Sequence, residues 1–183
     1  MTSRLINLGL YQIGWFCCVL GAARGQGTAG GLVALALVLV HVALLEDRSG
    51  EAPLLALAGG FGLAVDSTLG SLKLLDYASP SPWSPLAPVW IVALWIQLAT
   101  LLRFGLAVMV GRPGLAALLG AAGGPLAFMI GERLGAVRFA EPAWIALLAL
   151  GVLWAIALAL LSAAAARLLG PAPPARYRCP ARG

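Results

Sequence analysis

The sequence predicts an all-α fold, a polytopic transmembrane helical bundle of about six spans, and three observations lead there. Apolar residues make up 61% of the 183 positions and charged residues only 10%, against roughly a quarter charged in soluble domains. The apolar residues fall into six segments, each near the ~20 residues that a bilayer crossing requires. Prolines at 53, 88, 113 and 142 stand at the starts of segments, where a missing N–H does least harm to a helix.

Taken in order, the first span runs from about Leu5 to Ala23. Gly21-Ala22-Ala23 resembles a cleavage site, but only Arg4 precedes the apolar stretch, and Asn7, Gln12 and Trp15 interrupt it. The segment is therefore kept as a span rather than read as a signal peptide. The second span covers about Ala29 to Leu45, the third Pro53 to Leu72 and the fourth Pro88 to Val110. The fifth extends from Gly114 to Gly131 and the sixth from Pro142 to Ala166. Pro125 lies inside the fifth span, after Gly120-Ala121-Ala122-Gly123-Gly124, and predicts a kink or a break. The loop from Lys73 to Pro88 carries prolines at 80, 82 and 85, which favour an extended surface course, with Trp83 and Trp90 at the interface. Residues 1–166 thus form one transmembrane domain, and 167–183, rich in Pro and Arg, read as a disordered basic tail.

The net charge of +5 does not signal nucleic-acid binding. Its basic residues sit in short loops and in the tail, the pattern expected beside anionic lipid. Arg4, Arg48, Arg112, Arg167, Arg176, Arg178 and Arg182 make seven on the side of the termini, against four (Arg24, Lys73, Arg133, Arg138) on the other. That imbalance places both termini in the cytoplasm.

Within the third span, Gly59, Gly62, Asp66 and Gly70 share one stripe at steps of three and four. The small residues invite a close neighbour, and the carboxyl group then faces protein rather than lipid. An intramembrane acid is costly, so Asp66 is either interhelical glue or a functional group. Helical rise puts Asp66 roughly 20 Å from the inner edge and Gln97 about 14 Å below the outer face, nearly the same depth in a ~30 Å core. Arg103 falls about 22 Å down, near His41 and Gln12. Two polar layers follow: Asp66 with Gln97 and Thr100, and Arg103 with His41 or Gln12. Gly62, Gly70, Gly120 and Gly124, with Pro125, are the packing and helix-break positions. Gly120-x-x-x-Gly124 and Gly131-x-x-x-Gly135 suit close helix pairs within one chain or between two copies.

Catalytic and metal constellations are missing from the sequence. One histidine and three scattered cysteines provide no H-x-x-H, H-E-x-x-H or C-x-x-C spacing, so neither a metal nor a cofactor is expected. Cys17 and Cys18 read as small buried hydrophobes. Four residues follow Cys179, one too many for a prenylation box. The glycine cluster lacks the Lys-Ser/Thr of a phosphate loop, and no G-x-S-x-G occurs.

Several stretches together resemble a bacterial inner-membrane family catalogued as domain of unknown function 2878. They are Gln12 to Ala22, Gly62 to Ser67 followed by Leu69, and Val89 to Trp95 with Leu98-Ala99-Thr100. Gly124 to Phe128 and Gly131 to Ala136 complete the set. Arg103-Phe104 departs from it, standing where small or neutral polar residues are expected. The resemblance implies a six-helix protein of the cytoplasmic membrane and assigns no reaction; its members are often encoded beside enzymes that modify membrane fatty acids. The resulting expectation is a non-enzymatic accessory or scaffold in a membrane-lipid or envelope pathway, holding a partner protein or a lipid. The alternative is a small secondary transporter or proton-coupled carrier using Asp66.

Overall fold

The computed structural model describes residues 2–170 and 176–178. Six helices carry the fold: α1 (Thr2–Ala23), α2 (Gly27–Leu44), α3 (Glu51–Ser71), α4 (Val89–Thr100), α5 (Pro113–Arg133) and α6 (Ala143–Leu168). All but α4 are long and apolar enough to cross a membrane. Large side chains such as Leu39, Leu118, Trp144 and Leu148 lie exposed around the outside, as a lipid-solvated belt requires.

The fourth segment departs from expectation. Its α-helix stops at Thr100 instead of running to Val110, and two 3₁₀ turns follow, Leu101–Arg103 and Ala107–Met109. Twelve residues rise only about 18 Å. Eight of those twelve are buried, because α4 packs against α1, α2 and α3. Irregular backbone is tolerated at membrane depth where protein, not lipid, surrounds it. Arg103 sits in the first of these turns, so the break in the helix is also what aims its side chain.

The helix runs unbroken through Pro125, which corrects the expected break. A proline removes the hydrogen bond to the carbonyl four residues earlier, here that of Ala121. That carbonyl and the pyrrolidine ring face Gly151 of α6, where an added Cβ would lie 3.3 Å from the Ala121 oxygen and 3.7 Å from Pro125 Cγ. Gly120 and Gly124 serve the same crossing. A Cβ at Gly120 would meet the Trp154 carbonyl at 2.5 Å, and one at Gly124 the Trp154 ring at 2.4 Å. The G-x-x-x-G motif is thus used within the chain, between α5 and α6.

Two three-residue strands, absent from the sequence reading, tie one end of the bundle. β1 (Leu75–Tyr77) pairs antiparallel with β2 (Val137–Phe139), Asp76 opposite Arg138. Trp90 is buried rather than interfacial, donating its indole N–H to the Ser79 carbonyl at 3.1 Å, while Trp83 remains exposed. The opposite end holds the start of α1, the end of α6, the α2–α3 connection and the 3₁₀ turns. There the tail expectation is corrected at 167–170, where α6 runs on to Leu168 and caps at Leu169, and at residues 176–178: Leu45 and Tyr177 form a β-bridge, and Tyr177 is buried. The rest of the expected disorder, at 171–175 and 179–183 with Cys179, lies outside the described residues.

Candidate functional sites

Two buried polar centres and one lateral groove stand out. At the strand end, Asp66 is wholly buried on the α3 stripe that faces α4. Gly62, one turn earlier, leaves room for the Trp95 ring; a Cβ there would lie 2.3 Å from it. Trp95 Nε1 then donates to Asp66 Oδ2 at 2.7 Å, and the Tyr77 hydroxyl donates to Oδ1 at 2.8 Å. Burial first, then the neighbouring carboxyl group, raises the Tyr77 phenol above its ordinary value, so it remains a donor. Gly70 lies beneath the Tyr77 ring, where a Cβ would sit 3.5 Å away. Above this centre a vestibule of about 450 Å³ opens to the strand-end surface, lined by Asp66, Ser71, Lys73, Asp76, Ser81 and Ser84 among others.

The expected layer of Asp66 with Gln97 and Thr100 does not form. Trp95 precedes Gln97 by only two residues, but rotation decides the partner: two residues turn a helix by about 200°. Trp95 therefore faces α3, while Gln97 faces α1. Gln97 Nε2 donates to the Leu10 carbonyl at 3.4 Å, in space left by Gly14, whose Cβ would collide with the amide at 2.0 Å. Thr100 shares that face, and its hydroxyl donates to the Gln97 carbonyl at 2.7 Å. Gln12 is exposed on the outer side of α1, away from Arg103.

Near the termini, His41 and Arg103 do come together, through a residue the sequence reading passed over. His41 Nε2 is 2.9 Å from Glu51 Oε1, and Glu51 Oε2 forms an ion pair with Arg103 Nε. The Arg103 N–H does not point along that line, so the contact is a charge pair rather than an aligned hydrogen bond. Arg103 also donates to the Ser49 carbonyl and reaches Asp47 Oδ2 at 3.7 Å. A carboxylate only accepts, so Nε2 of His41 carries the hydrogen, and in the neutral ring Nδ1 accepts from Tyr177, 2.8 Å away. Asn7 Nδ2 lies 3.3 Å from Nδ1 and 3.2 Å from the Tyr177 hydroxyl, with Thr100 at 3.4 Å. Burial pushes the Tyr177 phenol up to about 12, so it too stays a donor.

Backbone geometry positions this centre. Gly50 precedes α3 with φ of +71°, and an added Cβ would lie 2.1 Å from the Leu168 carbonyl. Only glycine fits both demands, and it swings Glu51 inward. The signal for Glu51 was present as an acid in a helix's first turn, two residues before Pro53. In the sequence Asn7 shows only as a polar interruption of an apolar run. Tyr177 carried the weakest signal, one aromatic residue in a Pro/Arg tail.

A groove of about 490 Å³ runs between α1 and α5 at the lipid-facing surface, lined by Tyr11, Gln12, Trp15, Phe16, Gly123 and Leu126 among others. Tyr11, Trp15 and Ala127 also line a smaller inner pocket bounded by Trp90, Trp95, Phe128 and Trp154. Among the described residues, Trp154 Nε1 has no hydrogen-bond partner, and no group of three His, Cys, Asp or Glu gathers to hold a metal.

Together these features define a multi-pass helical membrane protein with polar groups sealed between its spans. The chain belongs to the family described as a protein of unknown function (DUF2878), whose model matches residues 4–160. That range includes every wall of both polar centres except Tyr177. No curated protein and no solved structure matches the chain.

Proposed function

We propose that this protein is a non-enzymatic accessory of a membrane-lipid or envelope pathway, and that it holds a lipid chain in the groove between α1 and α5. The observation that carries the reading is the groove itself. It opens sideways where lipid tails lie, its walls are aromatic and apolar, and its size falls within the range of ligand sites. Gln12 at its wall suits a ligand that brings a hydrogen-bonding group into the membrane. In the same reading the protein sits in the bacterial cytoplasmic membrane with both termini inside, as the distribution of arginines favours. A membrane-protein partner receiving or supplying the lipid completes the role.

Gly123→Trp tests this directly, because a side chain there meets nothing within 4 Å and projects into the groove. The wild-type protein should co-purify with lipid by native mass spectrometry, and Gly123→Trp should lose it. Whole-lipid mass spectrometry of a deletion strain should show a change that wild type reverses and Gly123→Trp does not. Full rescue by the folded variant would sink the proposal.

A second reading, a small proton-coupled carrier, is favoured by the vestibule that reaches Asp66. In it Asp66 is the titrating group and the vestibule is the outer entrance. The part that a break at Pro125 would have played falls away, because α5 is continuous. Proton-driven uptake into liposomes that persists in Asp66→Asn would remove this residue from any such cycle.

A further inference from the structure

The polar centre near the termini is built largely without the residue that closes it. Glu51 fixes His41 from the side away from Tyr177, and Arg103 fixes Glu51. Asn7 is fully buried, yet its Oδ1 has no partner among the described residues. Tyr177 fills the remaining space as a ligand would. Its ring lies 4.8 Å from that of Phe104 at a 38° tilt, and 5.7 Å edge-on from His41. Its hydroxyl reaches His41 Nδ1 and Asn7 Nδ2.

The attachment of this segment is slight by comparison with the site it covers. Among the described residues two backbone–backbone hydrogen bonds and one to a side chain hold its backbone: Glu46 N–H to the Arg176 carbonyl at 3.2 Å, Arg178 N–H to the Leu44 carbonyl at 2.8 Å, and Tyr177 N–H to Ser3 Oγ at 3.2 Å. Arg176 and Arg178 on either side are exposed. Each such bond contributes little net, because water replaces it when the segment lifts. The walls, in contrast, belong to helices and to the turn after α4, and stay in place.

We propose that the space between Asn7, His41 and Phe104 is a binding site for a hydroxylated aromatic ring, a phenol or a quinol, and that the chain's own Tyr177 competes with that ring for it. The ring stacks on Phe104, and its hydroxyl donates to His41 Nδ1 and accepts from Asn7 Nδ2, as that of Tyr177 does. Entry requires the 176–178 segment to lift away from Leu45. The site is at the opposite end of the bundle from the Asp66 vestibule and is independent of the groove between α1 and α5.

The chain has a single histidine, so ¹⁵N-histidine labelling yields an imidazole spectrum that reports His41 alone. The probe is p-cresol, the tyrosine side chain without its backbone, added to the full chain in lipid nanodiscs. It should shift the His41 signals saturably and increase tryptic cleavage of the Arg176–Tyr177 bond several-fold. Toluene, the same ring without the hydroxyl, should do neither. Tyr177→Ala should bind p-cresol at least tenfold more tightly than wild type, since the competitor is gone. Tyr177→Phe, which keeps the ring and loses the O–H, should also bind it more tightly and decides the matter if the alanine variant does not fold. Equal p-cresol affinity in wild type and variant, an equal response to toluene, or no shift of His41 would each overturn the proposal.

Discussion

At one end of the bundle a buried carboxyl group, Asp66, meets two neutral donors, an indole and a phenol. At the other a buried carboxyl group, Glu51, meets an imidazole and a guanidinium. The first centre is assembled from consecutive elements, with partners 11 and 29 residues from Asp66. The second joins α1, α2, α3, the turn after α4 and the tail, up to 170 residues apart. The first adjoins a vestibule; neither the vestibule nor the aromatic pocket is lined by any member of the second. A neutral cage lets a single acid sit between two helices at modest cost. An ionic one ties α2, α3 and the turn after α4 together through Glu51, and Tyr177 closes over it from outside.

The sharpest way to break this comparison is to remove the shared anion of the ionic centre. Glu51→Ala leaves Arg103 buried without its closest anionic partner and His41 without Oε1. Breaking a buried pair in this way costs about 3–5 kcal/mol, so thermal unfolding in a single detergent should show a large drop in midpoint. The joint replacement Glu51→Leu with Arg103→Met should recover most of it, because an apolar pair of similar volume avoids the desolvation cost. If Glu51→Ala melts where wild type does, the centre is not the tie described here.

Much of the fold was legible in the sequence, and the reasons are physical. Long apolar runs, three of them opened by a proline, place five helices within three residues of their observed ends, because lipid demands that the backbone be satisfied within each segment. The exception, α4, is surrounded by protein and freed from that demand. The Gly59–Gly70 stripe was readable because periodicity survives without knowing the neighbour; the neighbour's rotation was not. Trp95 rather than Gln97 therefore came as a correction. Glu51 and Tyr177 escaped for a different reason. A charge near Pro53 and an aromatic residue in a basic tail both look solvated until Gly50 turns the chain and Leu45 pairs with it.

The neutral cage can be sharpened in two steps. Gly62→Leu would drive a side chain into the Trp95 ring, where even a Cβ lies 2.3 Å away, forcing α3 and α4 apart at a cost of about 1–3 kcal/mol. Trp95→Phe removes one donor while keeping most of the ring. Interhelical hydrogen bonds in membranes average about 0.6 kcal/mol, so its midpoint should fall far less than that of Glu51→Ala. Adding Tyr77→Phe should cost more than the two single changes summed, since Asp66 then has neither side-chain donor. Additive losses in that cycle would mean that the two donors do not share one acceptor.

Asp47 provides the smallest effect and the cleanest contrast with Glu51, because both acids approach the same guanidinium. Asp47 lies 3.7 Å from Arg103 and its side chain is 53% exposed, whereas that of Glu51 is 1% exposed. The Ser49 hydroxyl and N–H, and behind them the Arg103 charge, hold the Asp47 carboxyl below the usual carboxylate range. A depressed value means the carboxylate form stabilises the fold above its unfolded-state value of about 3.9 and loses that contribution as the pH falls through the folded one. Asp47→Asn should therefore leave the unfolding midpoint at pH 7 within error and remove only a slight acid-side decline below about pH 4. If instead it lowers the midpoint at pH 7 as far as Glu51→Ala does, the solvent-facing acid carries the pairing, and the ionic centre is not sealed at all.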